Sequence, residues 1–332
     1  MIGFCTNPEM TRHLTGHGHP ERPQRLGAIY QAVRAAGLVT SPNPLEPVVS
    51  DLGPLASANF KLKELEATPI DPRWIEAVHP GDYVRQIEQA CMQGAILDGG
   101  DTVVCPDSFR AALLSAGGAV ACCDAVVAGE VRRAFSAGRP PGHHAEPHRA
   151  MGFCLFGNVA IAARYLQKKH GVGRVAVVDF DVHHGNGTQA AFLGDPSVLF
   201  ISLHQHPDTC YPHTGYEWEI GSGPGKGFTL NIPLMPGGGD EIYLPAFDQR
   251  VIPRLEEFKP EFLLISAGFD AHRDDPLAAM QVTEEGFAQM TRRLVALAES
   301  QCAGRIVSVL EGGYDLRALG RSVVRHLIEM GD

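Results

Sequence analysis

Four short stretches of the sequence place ionisable side chains directly after apolar runs. His143 and His144 lie in GRPPGHHAE, several polar residues lie in DFDVHHGNGTQ (Asp179–Gln189), Asp270 lies in GFDAHRDDP, and Tyr314 lies in EGGYDL. Burying such groups is costly unless they are hydrogen-bonded, paired or bound to a metal. Their recurrence after four apolar runs indicates one shared site that carries chemistry.

Asp181 and His183 have a spacing that suits a metal. In an extended chain residues i and i+2 project to the same side, and Asp179 lies one step deeper on that side. With Asp270 from another strand end as a third ligand, the set suits Zn²⁺ and leaves a fourth position for water. The alternative is a buried ion pair between Asp181 and His183 without a metal.

The tandem histidines His143 and His144 are suited to proton transfer near neutral pH. Such a base needs a partner on its other ring nitrogen, and Asp179 and Asn186 are available for this. Tyr314 follows two glycines and can donate a hydrogen bond to a developing oxyanion. The alternatives are histidines that only close a loop and a tyrosine that only packs.

Other polar residues near these stretches are expected to have structural or peripheral roles. We expect Glu311 and His184 to be structural. The three spaced histidines of TRHLTGHGHPERP (Thr11–Pro23) are predicted to lie at the rim of a pocket whose mouth is shaped by Leu14–Gly18. A second metal site is the alternative for these histidines.

Apolar strands alternate with helical patterns along the chain, which predicts an α/β fold: three α/β/α layers around a central, mainly parallel sheet. One helix should follow Asn158, another should begin near Thr283, and Ser108–Val127 reads as a buried helix. In such sheets, sites form at the carboxyl ends of the strands. The predicted strands are Ala134–Ala137, Val175–Phe180, Val198–Leu203, Phe228–Leu234, Phe262–Ala267 and Ile306–Leu310.

Composition excludes several classes of protein. The chain has 332 residues, 44% apolar residues and a net charge of −10, so no basic surface for nucleic acid is expected. Its eight cysteines form no C-x-x-C pair, MIGFCTNPEM does not resemble a signal peptide, and the uncharged run Ala111–Cys123 is too short to span a bilayer. We expect one domain over residues 1–332, in the cytoplasm, with no membrane partner and with homo-oligomer formation left open.

The motifs together resemble the histone deacetylase superfamily, in its class II and bacterial form. They occur in family order over nearly the whole chain. The segments that carry the resemblance are HPERPQR (His19–Arg25), RPPGHHAE (Arg139–Glu146), GFCLFGNVAIAA (Gly152–Ala163), DFDVHHGNGTQ (Asp179–Gln189), SLHQHP (Ser202–Pro207), SAGFDAHRDDPL (Ser266–Leu277) and LEGGYDL (Leu310–Leu316).

The resemblance implies the arginase/deacetylase fold and a role for each matching residue. It implies zinc ligands at Asp181, His183 and Asp270. It implies catalytic roles for His143, His144, Tyr314, Asp179 and Asn186, and substrate contacts at Gly152, Phe153, Tyr211, Leu277 and Gly312. A structural potassium ion is implied at Asp179, Asp181, His183, Ser202 and Leu203. Arg25 matches an arginine near an internal acetate cavity.

Three positions depart from the family pattern. Gly157 stands where asparagine is usual and is expected to loosen the turn before the helix. Tyr211 stands where phenylalanine is common in the wall of the family's acyl-lysine tunnel, and it is expected to make that wall more polar. His213 stands where small residues are common and is expected to alter the rim of the tunnel. Leu277 lies where a few relatives carry an acidic residue selective for acetylated polyamines, so its apolar side chain favours acyl-lysine.

These observations predict a zinc-dependent deacetylase that hydrolyses N-acyl amides, with Nε-acetyl-lysine in a protein or peptide as the expected substrate. An acetylated small amine, such as an acetylpolyamine, is the alternative substrate for the same site. A non-catalytic module that binds an acyl ligand and a binuclear manganese ureohydrolase are the alternatives of other classes.

Overall fold

A central sheet of eight parallel strands organises the chain. The computed structural model describes residues 1–42 and 44–331. The strand order is β2-β1-β5-β10-β9-β6-β7-β8, and each adjacent pair is parallel. The strands of this sheet are β1 (Ile2–Thr6), β2 (Lys63–Glu66), β5 (Arg133–Ser136), β6 (Val175–Asp179), β7 (Val198–Gln205), β8 (Thr229–Leu234), β9 (Phe262–Ala267) and β10 (Ile306–Leu310). A separate antiparallel ribbon is formed by β3 (Ile96–Leu97) and β4 (Thr102–Val103).

Helices cover both faces of this sheet, so the predicted three-layer α/β/α architecture is confirmed. One group packs α1 and α9 against α10, and another packs α5 against α4. The helices are α1 (Gln24–Ala35), α2 (Pro72–Ile75), α3 (Gly81–Gln93), α4 (Ser108–Val127), α5 (Asn158–His170), α6 (Asn186–Phe192), α7 (Asp240–Ala246), α8 (Ile252–Phe258), α9 (Glu284–Gln301) and α10 (Leu316–Gly331).

The six predicted strands are confirmed within one or two residues at each end. The four central strands β5, β6, β9 and β10 are buried at every position, which explains their continuous apolar character. Thr283 is the N-cap of α9, where its hydroxyl accepts a hydrogen bond from the Gly286 N–H at 3.1 Å. The proline-rich composition of Pro42–Pro54 also predicts a loop, and Asn43 within it lies outside the described residues.

The list of predicted strands was incomplete because it omitted β1 and β2. Strand β2, Lys-Glu-Leu-Glu, alternates half-buried with exposed residues at the edge of the sheet. Its three charged residues hide the apolar pattern that marks the central strands. Strand β1 is almost wholly buried between β2 and β5, but its sequence, Ile-Gly-Phe-Cys-Thr, contains a glycine and lacks the continuous branched apolar run of the central strands.

Helix α4 corrects an argument made from the sequence. The uncharged run is only part of a helix of 20 residues, which by length and composition could cross a membrane. The length of α4 therefore does not exclude a membrane-spanning helix. However, 72% of its most apolar window is buried inside the fold, where α4 packs on β1, β5 and α5. That burial is typical of a helix in a protein core.

Candidate active site

The four polar stretches converge because they follow four neighbouring strands. In the order β5-β10-β9-β6, β5 leads to His143 and His144, β10 to Tyr314, β9 to Asp270, and β6 to the Asp181 loop. Since all four strands are parallel, their carboxyl ends lie at the same edge of the sheet. The convergence predicted from the sequence is therefore observed at the centre of the sheet.

Asp181, His183 and Asp270 form a buried cluster that could hold a metal ion. One ligand atom from each residue lies within 4.8 Å of the other two. His183 Nδ1 is 3.1 Å from Asp181 Oδ1 and 3.1 Å from Asp270 Oδ2. Among residues 1–42 and 44–331, this is the one group of three or more such side chains with suitable spacing.

The charge of this cluster favours a cation. Burial raises the pKa of Asp270, and the neighbouring carboxylate of Asp181 raises it further. For Asp181, burial acts in the same direction, but His143 and His183 outweigh it and hold the pKa well below its ordinary value. The other hydrogen bonds to the two carboxylates come from backbone N–H groups, including Gly312 N to Asp181 Oδ2 at 2.7 Å. Asp181 and Asp270 also raise the pKa of His183, so a divalent cation that binds the two carboxylates and the imidazole nitrogen would take the place of the His183 proton.

Two glycines let the backbone approach these carboxylates. A Cβ atom at Gly312 would lie 2.0 Å from Asp270 Oδ2, and one at Gly268 would lie 2.0 Å from Asp181 Oδ2. Glycine is required at both positions because the backbone after β9 lies against Asp181, and the backbone after β10 lies against Asp270. Gly312 contacts the two carboxylates and is not among the residues that line the cavity, so its substrate-binding role stays a prediction.

His143 is held between two carboxylates. Its Nδ1–H donates to Asp179 Oδ2 at 3.0 Å, and its Nε2 lies 3.7 Å from Asp181 Oδ1. Burial alone lowers the pKa of His143, but Asp181 and Asp179 outweigh burial and raise it to about 10. The surrounding carboxylates therefore favour the protonated ring of His143.

His144 has the opposite protonation. Its Nδ1 is 2.8 Å from Asn186 Oδ1, while the Asn186 amide nitrogen donates to Glu146 Oε1 at 2.9 Å. Because Glu146 fixes the orientation of the amide, Nδ1 of His144 carries the proton and Nε2 keeps its lone pair. Burial, then the nearby His143 and His183, lower the pKa of His144 well below its ordinary value. The two rings are 4.0 Å apart, so one neutral and one charged histidine lie side by side.

Glu311 holds the loop that carries the two histidines. Its Oε2 accepts hydrogen bonds from Gly142 N at 2.6 Å and His143 N at 3.0 Å. Burial raises the pKa of this carboxyl group to about 7. His184 bonds Thr214 Oγ1 at 2.8 Å and Gln189 Oε1 at 3.0 Å, away from the metal cluster. Both residues therefore make the structural contacts expected of them.

Tyr314 is buried and oriented by contacts on both sides. Its backbone N–H donates to Asp275 Oδ2 at 2.6 Å, and the Arg25 guanidinium lies 5.0 Å from its ring centre. Arg25 in turn donates to the Gly313 carbonyl at 2.7 Å. Burial raises the pKa of Tyr314 well above its ordinary value, so the hydroxyl stays protonated and can donate a hydrogen bond.

A cavity of about 220 Å³ opens over this cluster. Phe153 and Tyr211 supply its aromatic walls, and the ring of Tyr211 is 5.2 Å from that of His144. Except for Asp101, every lining residue was assigned to the site from the sequence. The lining residues are Asp101, His144, Gly152, Phe153, His183, Tyr211, Leu277 and Tyr314.

Asp101 was missed because it does not follow a strand of the central sheet. It lies between Gly100 and β4, on the small ribbon formed by β3 and β4. Burial raises the pKa of Asp101, and Asp98 raises it further. A lone aspartate after two glycines carries no sequence signal that distinguishes a pocket residue from an ordinary turn.

Two of the side chains expected to bind potassium lie on adjacent strands, and Asp181 and His183 also belong to the metal cluster. Asp179 on β6 pairs in register with Ser202 on β7, and Leu203 follows Ser202. The Ser202 hydroxyl lies 2.9 Å from His204 Nδ1, and Asp179 Oδ1 accepts the Asp181 N–H at 3.1 Å. The potassium assignment stays a prediction.

The three histidines near the start of the chain have different surroundings. His13 is buried, with Nδ1 2.7 Å from Ser108 Oγ. His17 is exposed. The His19 ring packs edge-on against Phe153 at 4.8 Å, and its Nε2 lies 3.2 Å from the Asp101 carbonyl. Only His19 contacts a cavity wall, and the three do not form a metal cluster among the described residues.

Comparison with known proteins identifies the family. The family model described as "Histone deacetylase domain" matches residues 19–330. The chain belongs to the histone deacetylase family. It is 42% identical over 316 residues to a "Probable deacetylase" of Archaeoglobus fulgidus, covering 95% of this chain and 82% of that protein. It is 43% identical over 291 residues to a "Histone deacetylase-like amidohydrolase" of Pseudomonas aeruginosa, covering 87% and 76%.

A solved structure agrees with this family assignment. The HD domain of HDA15 superposes with a TM-score of 0.88 at 36% sequence identity, covering 99% of this chain and 89% of that chain. The α/β/α architecture predicted from the strand pattern is thus the histone deacetylase fold. The comparisons establish the family and its deacetylase or amidohydrolase class.

The departures from the deacetylase pattern have local explanations. The Gly157 N–H donates to His79 Nε2 at 2.9 Å, a bond that any residue other than proline could make here, so the looser turn stays a prediction. The Tyr211 hydroxyl donates to Asp98 Oδ2 at 2.9 Å, so its polar atom is directed to a partner. His213 adopts a φ of +65° and lies with Nδ1 2.8 Å from the Pro207 carbonyl.

Proposed function

We propose that this deacetylase-family chain is a zinc-dependent amidohydrolase that removes the acyl group from Nε-acetyl-lysine in peptides or proteins. One observation carries the proposal: His183 of the buried Asp-His-Asp cluster, His144 of the adjacent histidine pair and the buried Tyr314 all line one cavity. A non-catalytic binding module would need none of the hydrogen bonds that polarise the two histidines.

Asp181, His183 and Asp270 would hold the zinc ion. Two carboxylates and one imidazole nitrogen are ligands that zinc accepts, and three protein ligands are the number found in catalytic sites. When bound, zinc would polarise the substrate carbonyl and lower the pKa of a coordinated water. Asp179, Ser202 and Leu203, with main-chain oxygens of Asp181 and His183, would hold a structural potassium ion beside it.

His144 is the proposed general base. Asn186 holds the proton on Nδ1, so Nε2 can accept a proton from the attacking water. His143, held as an imidazolium by Asp179, supplies positive charge next to the reacting atoms. Either histidine can return a proton to the leaving amine.

Tyr314 and the cavity walls complete the site. The Tyr314 hydroxyl would donate a hydrogen bond to the amide oxygen as negative charge develops on it. Phe153 and Tyr211 would enclose the lysine methylenes and exclude water from them. Leu277 lines the cavity without a charge, and this favours a neutral peptide over a second ammonium group at that position.

The test is hydrolysis by the full chain loaded with zinc. We expect turnover of an acetyl-lysine peptide with a kcat/KM higher than that for N-acetylputrescine, and one zinc per chain by metal analysis. A preference for N-acetylputrescine would favour the small-amine alternative. No hydrolysis of either substrate by the zinc-loaded protein would refute the proposed function, and two manganese ions per chain would indicate ureohydrolase chemistry.

A further inference from the structure

The backbone at and near the cavity wall adopts a left-handed conformation that residues other than glycine rarely adopt. Phe153 has a φ of +67° and follows Gly152 at +54°, while Asp98, in a separate segment, has a φ of +53°. A non-glycine residue in the left-handed region costs about 1–3 kcal/mol and persists only where its surroundings hold it there. Phe153 lines the cavity, and Asp98 is hydrogen-bonded to its neighbour Gly152, so contacts around these two residues must hold this part of the wall in its conformation.

The Asp98 carboxylate is a direct part of that restraint. Its side chain is only 6% exposed. Its Oδ2 accepts hydrogen bonds from the Gly152 N–H at 3.0 Å and the Tyr211 hydroxyl at 2.9 Å, and its Oδ1 accepts from an Arg149 guanidinium nitrogen at 2.9 Å. One buried carboxylate therefore binds the segment of Phe153 and the side chain of Tyr211, the two aromatic walls.

A neighbouring residue strengthens the same restraint. The hydroxyl of Thr102, on β4, accepts a hydrogen bond from the Phe153 N–H at 3.0 Å. The backbone N–H groups of both Gly152 and Phe153 are thus satisfied by side chains of the segment from Asp98 to Thr102. That segment would lose these bonds if Phe153 relaxed to an ordinary φ.

Tyr211 can make its bond to Asp98 only through the hydroxyl. Burial, and then the negative charge of Asp98, raise the pKa of Tyr211, so the hydroxyl remains a donor. Phenylalanine at this position would pack in the same place without the bond. Tyr211 is therefore hydrogen-bonded to the segment that contains Asp98, whereas phenylalanine at the same position would be held only by packing.

We propose that Asp98 is a positioning residue that ties both aromatic walls together, fixes the width of the cavity and so selects an acylated side chain with an unbranched methylene stem. The inference rests on the proposed function. Within residues 1–42 and 44–331, the side chain of Asp98 makes no hydrogen bond to the metal cluster or to His143 and His144, so it acts on substrate fit and not on the chemical step.

Two variants separate this role from a purely structural one. In Tyr211→Phe the ring remains and one hydrogen bond to Asp98 is lost. In Asp98→Asn the amide keeps a single acceptor oxygen and turns an N–H group toward other donors, so more of the restraint is lost. Tyr216→Phe is the matched control, because its hydroxyl donates to Asp208 at 2.7 Å on the protein surface.

The assay compares two peptides that differ in one methyl group. One carries Nε-acetyl-lysine, and the other carries the same residue with a methyl branch on Cγ. For Tyr211→Phe with zinc bound, we expect KM for the unbranched peptide to rise about three- to tenfold, the change that loss of one buried hydrogen bond produces. We expect kcat to stay within about twofold, since no group at the reacting atoms changes.

The preference for the unbranched peptide should fall in both variants and stay unchanged in Tyr216→Phe. In the Asp98→Asn background, adding Tyr211→Phe should raise KM by a smaller factor than it does in the unaltered protein, because the bond between the two side chains is already weakened. Unchanged KM and preference in Tyr211→Phe would overturn the inference, as would a fall in kcat alone. If the unaltered zinc-loaded protein hydrolyses neither peptide, the proposed function itself fails. Thermal unfolding within a few degrees of the unaltered protein confirms that Tyr211→Phe is folded.

Discussion

Replacing Tyr314 by phenylalanine removes one hydroxyl and leaves its surroundings intact. The ring keeps its edge contact with Phe153 at 6.0 Å and its place under the Arg25 guanidinium. The hydrogen bond from its backbone N–H to Asp275 does not depend on the side chain. We therefore expect unfolding temperature and zinc content to be unchanged, and any loss of activity to report on the hydroxyl.

The expected loss is the value of one donor to the oxyanion. Removing a single such donor costs about 10²–10³ in kcat, or about 2.7–4 kcal/mol. The assay is steady-state hydrolysis of an acetyl-lysine peptide, with metal content measured on the same sample. The fall should appear in kcat and kcat/KM together, because the hydroxyl acts where charge develops.

A matched control tests whether the loss is specific. Tyr243 is also fully buried, and its hydroxyl has no hydrogen-bond partner within the described part of the chain. It does not line the cavity. Tyr243→Phe should therefore keep normal turnover. If Tyr314→Phe retains kcat within about threefold, equivalent to about 0.65 kcal/mol, its role in stabilising the oxyanion is refuted.

Three further predictions concern the metal cluster and the thiol of Cys105. Asp181→Ala should lose stoichiometric zinc, and a full zinc complement by metal analysis would refute its assignment as a ligand. Gly312→Ala should weaken zinc binding at least about tenfold in a chelator titration, because the new Cβ meets the ligand carboxylates, whereas Gly157→Ala, whose Cβ has no contact closer than 3.4 Å, should not. Alkylation of Cys105 by iodoacetamide should rise with pH through a midpoint near 6, since a hydrogen bond from His13 lowers the pKa of this thiol to about 6 and its thiolate is present above that pH. A midpoint near the ordinary thiol pKa of 9 would contradict this.

The central part of the site could be predicted from sequence because strand and chemistry are adjacent in the chain. Val175–Asp179 is apolar until its last residue, and the ligands follow within four residues. Once the strands are known to be parallel, their carboxyl ends must share one edge. The residues that follow β5, β6, β9 and β10 are thereby brought together without any knowledge of tertiary contacts.

The walls of the cavity could not be derived in this way. Asp98 and Asp101 lie on a short ribbon far from the central strands in sequence, and their type is ordinary for a turn. Their importance arises from long-range bonds to Gly152 and Tyr211, which no local pattern encodes. The partner of the Tyr211 hydroxyl, Asp98, was likewise not foreseen from the sequence, and the expected effect of Tyr211 on the polarity of the wall stays a prediction.

The pKa values of the two histidines shift in opposite directions because Asp181 and Asp179 lie close to His143, whereas the hydrogen-bond partner of His144 is an amide. His143 faces the carboxylate of Asp179, which favours the charged ring. His144 faces the amide of Asn186, which accepts one hydrogen bond but adds no negative charge. With the rings 4.0 Å apart, the charge on His143 further disfavours a proton on His144. Aspartate at position 186 would remove this asymmetry and would also place a carboxylate against Glu146, where the amide now donates a hydrogen bond. The asparagine thus keeps one base available beside one fixed positive charge.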